Sequence, residues 1–99
     1  MLCAHWDSRP YGDKDKDKAL WKKPIDGAND GGSGVGVLME IARQLQVSPT
    51  QVGIDLIFFD AEDLGTAEFA EGAKEILNDG FTSSWCLGSQ HWAKEKHVE

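Results

Sequence analysis

With 99 residues, the chain allows one small domain at most, which buries a modest fraction of its surface. Hydrophobic residues make up 40% of it and four residues are tryptophans, which argues against wholesale disorder. Acidic residues outnumber basic ones 17 to 10, giving a formal net charge of −7. This balance argues against nucleic acid or an anionic membrane surface as a partner.

Two further sequence signals concern membranes and thiols. No apolar run approaches the roughly 20 residues that cross a bilayer, and the N-terminus lacks the residue order of a signal peptide. The two cysteines, Cys3 and Cys86, form neither a metal motif nor a disulfide framework. We expect both to be ordinary free thiols.

The first predicted element is the apolar end of a strand at residues 2–4, and a polar loop follows over residues 9–24. In that loop Asp and Lys alternate over residues 13–18. The alternation is typical of a solvated, charge-neutral loop. A hard cation bound by Asp13, Asp15 and Asp17 is the alternative, but the Gly and Glu of a calcium-binding loop are missing at the required offsets.

The clearest predicted helix covers about residues 31–46. Apolar residues recur there at spacings of three and four and so share one face. They are Val35, Leu38, Met39, Ala42 and Leu45. Asp30 or Ser33 is a candidate cap for the first turn. Each glycine in this turn destabilises the helix by up to about 1 kcal/mol relative to alanine. This cost suggests that another backbone or a ligand approaches the turn closely.

The remaining elements predict the fold class. A nearly continuous apolar run predicts a strand over about residues 54–60, covered on both faces as in a parallel sheet flanked by helices. A helical segment is expected over about residues 65–79, and a final helix over about 84–94. Strand, helix and strand in this order predict an α/β fold with a right-handed βαβ unit.

Potential metal ligands and proton carriers cluster where these elements meet. His5 and Asp7 follow the first strand, Glu62 and Asp63 follow the second, and Asp30 begins the helix between them. Because ligands bind outside the carboxyl ends of the strands in such sheets, we expect all of them at one edge. One imidazole and several carboxylates suit a hydrolytic zinc ion. Taken singly, each motif is better explained as a helix cap or a polar strand exit.

Four segments resemble the M28 zinc-peptidase superfamily, and within it bacterial glutaminyl-peptide cyclotransferases (glutaminyl cyclases). They are AHWDSRPY at residues 4–11, PIDGANDGGSGV at 24–35, LIFFDAED at 56–63 and WCLGSQHWA at 85–93. The resemblance covers nearly the whole chain, with the motifs in the right order. It implies the βαβ portion of a zinc-aminopeptidase-like three-layer sandwich, in which helices flank a mainly parallel central sheet.

The resemblance implies roles for five residues of this sequence. Asp30 matches the family's central metal-binding aspartate, and Asp63 matches its acidic zinc ligand. Glu62 matches the general acid/base. His5 matches a histidine that binds the second zinc in two-metal aminopeptidases and is usually not a ligand in one-zinc cyclases, and Asp7 matches its carboxylate partner. Glu62 and Asp7 are thus the catalytic candidates, and Asp30, Asp63 and His5 the metal candidates.

Three functions are compatible with this pattern. The first is a zinc-dependent cyclase that converts an N-terminal glutamine to pyroglutamate with release of ammonia. The second is a two-zinc aminopeptidase, and both act on a peptide with a free N-terminus in the periplasm or outside the cell. Family members are longer and carry a further histidine ligand that His91 and His97 do not match, so residues 1–99 look like a partial catalytic domain. The third reading is therefore a non-catalytic piece that self-associates through exposed sheet edges.

Overall fold

A computed structural model describes residues 1–70 and 83–95. In chain order these residues form strand β1 (Leu2–His5), a short 3₁₀ helix (Lys18–Leu20), helix α1 (Gly32–Val47), strand β2 (Leu56–Phe59) and helix α2 (Leu87–Lys94). The two strands are parallel neighbours, and α1 connects them. The expected α/β class is confirmed.

The register of the sheet brings the two strand exits side by side. Leu2 pairs with Leu56 and His5 with Phe59. The backbone N–H of Trp6 donates to the Phe59 carbonyl at 3.0 Å, which carries the pairing past the end of β1. Because parallel strands end at the same edge, the residues after His5 and after Phe59 emerge next to each other.

Helix α1 packs on the sheet through a narrower face than the sequence predicted. Leu38 is 5% exposed, whereas Met39, expected on the same face, is 63% exposed. Successive residues are about 100° apart around a helix, so burying Leu38 turns Met39 outward. At the other end of the packed face, a Cβ at Gly34 would lie 3.0 Å from the Ala4 Cβ. The close backbone approach that the glycines predicted is confirmed at Gly31, where a Cβ would lie 2.5 Å from the backbone carbonyl oxygen of His5 in β1.

The start of α1 differs from the expected capping. The N-cap residue is Gly31, and it makes no side-chain cap hydrogen bond. Ser33 donates its hydroxyl hydrogen to the Asn29 carbonyl instead, and the Asp30 carboxylate bonds to His5. Neither predicted cap residue therefore caps the helix, which leaves Asp30 available to the strand edge.

The two helices predicted after β2 also begin differently. Residues 65–70 are not helical, because distant oxygens accept their backbone N–H groups: Ser84 Oγ bonds to Thr66 at 3.0 Å and Asp13 Oδ2 bonds to Glu68 at 2.8 Å. The rest of that predicted segment, residues 71–79, lies outside the described residues. Helix α2 begins at Leu87, since Cys86 has a left-handed backbone with φ 56°.

The described residues build a small hydrophobic core. Among them, Leu38 is the hydrophobic residue that reaches full burial, and Phe58 in β2 remains 41% exposed. Among the residues that the structure describes, the expectation that both faces of this strand are covered is thus not met. No helix among the described residues has the length and apolar character to cross a membrane.

Candidate metal centre

The five residues singled out in the sequence lie together at the carboxyl edge of the sheet. His5 ends β1, Asp7 follows two residues later, Glu62 and Asp63 follow β2, and Asp30 immediately precedes the N-cap of α1. Contacts among their side chains and backbones, described below, join all five. The juxtaposition expected from the parallel topology is therefore present.

Asp7 fixes the backbone of the segment after β2. Its Oδ1 accepts the backbone N–H of Glu62 at 3.1 Å, and its Oδ2 accepts that of Asp63 at 2.9 Å. Burial acts to raise the pKa of Asp7, but hydrogen bonds, first those from the backbone N–H groups of Asp63 and Glu62, lower it overall. Asp7 therefore remains ionised and fully engaged as an acceptor, which suits an orienting role.

The imidazole of His5 connects Asp30 to the other carboxylates. Its Nε2 lies 2.9 Å from Asp30 Oδ1, and its Nδ1 lies 3.4 Å from Asp7 Oδ1 and 4.0 Å from Glu62 Oε2. An ionised carboxylate can only accept, so Nε2 carries the donated hydrogen. Burial opposes a charge on His5, yet the hydrogen bond to Asp30 and the charge of Glu62 raise its pKa overall.

The chain turns sharply beside this imidazole, and a glycine makes the turn possible. A Cβ at Gly31 would lie 2.5 Å from the His5 carbonyl oxygen and 2.8 Å from the ring atoms Cε1 and Nδ1. Only a residue without a side chain fits there. Gly31 is itself buried, so the N-terminal end of α1 rests directly on the ring.

Two buried polar atoms of the cluster have no hydrogen-bond partner, which fits a bound cation. Asp63 is 7% exposed, and its Oδ2, like His5 Nδ1, is buried with no hydrogen-bond partner among the described residues. Burial, followed by the charges of Asp30 and Glu62, raises the pKa of Asp63. A cation would satisfy the free lone pairs of Asp63 Oδ2 and relieve this repulsion.

The donor set and its spacing suit zinc. One ligand atom each from His5, Glu62 and Asp63 lies within 4.8 Å of the other two. Imidazole nitrogen and carboxylate oxygen are both ordinary zinc ligands. This group contains Glu62 in place of Asp30, which instead contacts the cluster through His5. The Asp30 side chain is 65% exposed, so its carboxylate can also bind a cation from the open side.

A buried ion pair behind the centre was missed by the sequence reasoning. Asp13, expected in a solvated loop, is 2% exposed, and its carboxylate receives two hydrogen bonds from the Arg9 guanidinium at 2.6 and 2.5 Å. Arg9 also donates to the carbonyls of Asp63 and Gly65 at 2.9 and 3.2 Å. The solvated-loop expectation is therefore wrong for Asp13. The i,i+4 spacing of Arg9 and Asp13 was the available signal.

Glu62 sits at the rim of the cluster between two elements. Its side chain is 35% exposed, its Oε2 faces His5, and its Oε1 accepts a hydrogen bond from the Cys86 thiol at 3.3 Å. Three successive backbone N–H groups at the start of α2, those of residues 86–88, donate to the carbonyls of residues 62, 61 and 60. Helix α2 is thus attached to the segment that carries Glu62.

An open cavity of about 460 Å³ adjoins the carboxylates. Asp30 and Asp63 line one part of it, and Trp85, Tyr11 and Ile25 supply apolar surface. The Arg9 guanidinium lies 4.4 Å from the centroid of the Trp85 ring, so the two side chains form a cation–π contact. The cavity is large enough for a small organic group and has both apolar and anionic walls.

Comparisons with known proteins identify relatives of this chain. A crystal structure of the Tannerella forsythia glutaminyl cyclase is 61% identical, with a TM-score of 0.80, and the match covers 98% of this chain and 31% of that one. A Zn-dependent exopeptidase from Parabacteroides distasonis is 57% identical, with a TM-score of 0.81, over 98% of this chain and 31% of that one. Aminopeptidase YwaD of Bacillus subtilis is 40% identical over 64 residues, 65% of this chain and 11% of its own length.

The matches to the two solved structures extend over nearly all of this chain but over a minor part of each relative. The chain spans about a third of the length of the solved relatives, which are a glutaminyl cyclase and a zinc exopeptidase. The family model described as "Peptidase family M28" matches residues 1–99. The parallel strands, the carboxylate cluster at their exits and a match over every residue lead to one conclusion: the chain belongs to peptidase family M28.

Proposed function

We propose that this chain is part of a zinc-dependent glutaminyl-peptide cyclotransferase, which converts an N-terminal glutamine to pyroglutamate. The 61% identity to the Tannerella forsythia glutaminyl cyclase over 98% of this chain is the observation that carries the proposal. Zinc in a related exopeptidase and the unpartnered buried Oδ2 of Asp63 support the cofactor. By family resemblance, the proposal places the intact protein in the periplasm or outside the cell.

In this proposal Asp30 and Asp63 hold the zinc ion, which when bound supplies Lewis-acid chemistry at a carbonyl oxygen. Asp63 offers its free Oδ2, and Asp30 offers a largely exposed carboxylate. His5 donates from Nε2 to Asp30 and so orients that carboxylate rather than binding the metal itself. Such an arrangement suits a centre with one ion.

Glu62 is the proposed proton carrier. The α-amine of the substrate attacks the side-chain amide carbon of glutamine, a new C–N bond closes the ring, and the old C–N bond breaks to release ammonia. Glu62 accepts the proton of the amine and delivers it to the departing nitrogen. Its carboxylate is suitably placed, since it lies at the rim with Oε2 facing His5 at 4.0 Å from Nδ1.

The cavity beside the carboxylates is the proposed substrate site. Trp85, Tyr11 and Ile25 would contact the methylene groups of a glutamine side chain, while Asp30 and Asp63 mark the end where the metal lies. A free peptide N-terminus carries a positive charge at neutral pH, which the surrounding carboxylates favour. The proposed partner is therefore a peptide with an unblocked N-terminus.

A two-zinc aminopeptidase is the second candidate, supported by the 40% identity to aminopeptidase YwaD and the 57% identity to a Zn-dependent exopeptidase. In that reaction Glu62 would take a proton from water and pass it to the leaving amine, and His5 would serve as a ligand of the second ion. The same residues serve both reactions, so the two candidates are distinguished by their reaction products.

A third candidate is a non-catalytic piece that self-associates. In the described part of the chain the sheet has two strands, so each presents an unpaired edge that another copy could extend. The molar mass in solution tests it: assembly without zinc binding or turnover would favour this candidate, whereas a monomer that binds zinc tightly would count against it.

The activity test uses a peptide that begins with glutamine. The cyclase is expected to release ammonia and leave a pyroglutamyl peptide, and Glu62→Gln is expected to lower kcat by about 10²–10⁴-fold. Glu40→Gln, on the exposed surface of α1, is the matched control and should be unchanged. Release of free glutamine from the peptide, or two zinc ions per chain, would overturn the cyclase in favour of the aminopeptidase.

The metal assignment is tested by zinc content. Wild-type protein and Asp26→Ala are expected to retain zinc through gel filtration, whereas Asp30→Ala loses it. Asp26 is an exposed aspartate four residues before Asp30, so the control removes the same charge from the same loop. If Asp30→Ala binds as much zinc as the wild type, the assignment of Asp30 is wrong.

A further inference from the structure

Cys86 is attached to Glu62 through both its backbone and its side chain. Its backbone N–H donates to the Glu62 carbonyl at 3.0 Å, and its Sγ lies 3.3 Å from Glu62 Oε1. The residue adopts a left-handed backbone, with φ 56° and ψ 35°, just before α2 begins. For a residue other than glycine this conformation is costly and persists where surrounding contacts hold it. The thiol is therefore held against the carboxylate by the start of the helix.

The direction of the thiol hydrogen bond follows from simple chemistry. An ionised carboxylate has no hydrogen to donate, so the S–H group is the donor and Glu62 Oε1 the acceptor. The structure shows the sulfur as the donor of this contact. A thiol that donates its hydrogen in this way is not a nucleophile, since the thiolate is the nucleophilic form.

The two oxygens of Glu62 thus have different surroundings. Oε1 is occupied by the thiol, whereas Oε2 faces His5 Nδ1 at 4.0 Å, toward the metal centre. The carboxylate has rotational freedom about its last side-chain bond when nothing holds it. A single donor on one oxygen removes that freedom and leaves the other oxygen directed at the site.

We propose that Cys86 is a positioning residue for Glu62: its thiol holds Oε1 and thereby presents Oε2 as the oxygen that accepts and returns the proton. The inference rests on the proposed role of Glu62 as proton carrier. Cys86 does not contact the reacting atoms. Its effect is to keep one oxygen of the general acid/base in the productive direction, which matters because proton transfer requires hydrogen-bond reach.

The kinetic test compares three variants in the intact enzyme on a glutamine-initiated peptide. Cys86→Ala removes the donor and is expected to lower kcat about tenfold with KM within about twofold, since it disorders the proton carrier without changing the substrate site. Cys86→Ser supplies a hydroxyl donor and is expected to recover most of kcat. Cys3→Ala, at an exposed cysteine, is the control. Equal kcat in wild type and Cys86→Ala, or no recovery in Cys86→Ser, overturns the positioning role.

Cys86→Gly separates the thiol from the backbone. Glycine adopts the left-handed conformation without strain, so this variant keeps the turn and loses only the side chain. A fall in kcat equal to that of Cys86→Ala, with a melting temperature no lower than that of the wild type, is expected for a positioning residue. If kcat falls in proportion to the melting temperature across Cys86→Ala, Cys86→Ser and Cys86→Gly, Cys86 acts on folding alone and the proposal is overturned.

Infrared spectroscopy tests the contact without any assay of activity. The difference spectrum between wild type and Cys86→Ser isolates the S–H stretching band, which moves to lower frequency when the thiol donates to a carboxylate. In Glu62→Leu, which removes the acceptor, the S–H band is expected to move to higher frequency. A band at the same position in both overturns the contact. If the intact wild-type enzyme does not cyclise the peptide, the proposed function is overturned, and the kinetic role with it, while the band position still decides the hydrogen bond.

Discussion

At the level of single residues, the contact between Gly31 and His5 leaves no room for a methyl group. A Cβ there would meet the His5 carbonyl oxygen at 2.5 Å. Gly31→Ala is therefore expected to cost about 1–3 kcal/mol of unfolding free energy and to weaken zinc binding by displacing His5 from Asp30. Denaturant titration and zinc affinity measure the two effects.

Gly36 in α1 provides the matched control for this prediction. A Cβ at Gly36 would meet nothing within 4 Å, and the residue lies inside the helix. Gly36→Ala is expected to raise stability by about 1 kcal/mol through helix propensity. If Gly31→Ala behaves in the same way as Gly36→Ala, the close packing of the turn on His5 is contradicted.

The buried pair of Arg9 and Asp13 makes a prediction that depends on pH. Asp13→Ala leaves the guanidinium buried without its partner and is expected to cost about 3 kcal/mol. The hydrogen bonds from Arg9 lower the pKa of Asp13 from 3.8 to about 2. The ionised carboxylate thus stabilises the fold above pH 3.8, and this contribution disappears as the pH falls through about 2.

Denaturant unfolding at several pH values measures this linkage. The stability difference between wild type and Asp13→Ala should be constant above about pH 4 and shrink toward pH 2. Asp55→Ala, at an exposed aspartate, should show little change in stability at any of these pH values. A wild-type advantage that persists unchanged at pH 2 would show that the pair does not titrate as described.

Residue types alone did not reveal which carboxylates are buried. Asp13 belongs to a charge alternation that is typical of a solvated loop, yet its partners include the backbone N–H of Glu68, far along the chain. Asp7 and Asp30, by contrast, were located correctly at the sheet edge, since strand exits and a helix start are local features. Long-range partners such as the Asp63 carbonyl on Arg9 have no local signature.

At the level of elements, the start of α2 is attached to the strand exit through backbone atoms. A Cβ at Gly88 would lie 2.4 Å from the Asp60 carbonyl oxygen, which accepts the Gly88 N–H. Gly88→Ala is expected to move α2 away from the segment after β2, to cost about 1–3 kcal/mol and to lower activity by displacing Glu62. Gly53→Ala, where a Cβ meets nothing within 4 Å, should leave both unchanged.

Periodicity located the regular elements better than it located their ends. Apolar spacing placed α1 within one residue of its observed bounds, Gly32–Val47. It placed the start of α2 three residues early, because the left-handed backbone of Cys86 leaves no mark in a pattern of apolar residues. Residues 65–70 contain no proline, but the N–H groups of Thr66 and Glu68 are bonded to Ser84 and Asp13.

At the level of the whole molecule, the small core makes zinc an important source of stability. Leu38 is the hydrophobic residue that the described part buries fully, so the fold has little apolar burial in reserve. Zinc at 100 times its dissociation constant is expected to stabilise the protein by about 2.7 kcal/mol. Thermal unfolding with and without a chelator measures this shift.

The stabilisation by zinc should depend on the identity of the metal and on Asp63. Magnesium prefers octahedral oxygen sites and should raise the melting temperature less than zinc. Asp63→Asn should abolish the shift caused by zinc, while Asp26→Asn should keep it. A zinc-dependent shift that survives in Asp63→Asn would place the ion elsewhere in the molecule.

The two hydrogen bonds that Asp7 accepts have a consequence for the entropy of metal binding. They hold consecutive peptide groups of the ligand-bearing segment through protein atoms alone, so that segment has little backbone freedom left to lose. Ordering one residue from a flexible loop would cost about 1–2 kcal/mol. Calorimetry should therefore find that zinc binding becomes entropically less favourable in Asp7→Ala, where the same segment must be ordered by the ion itself.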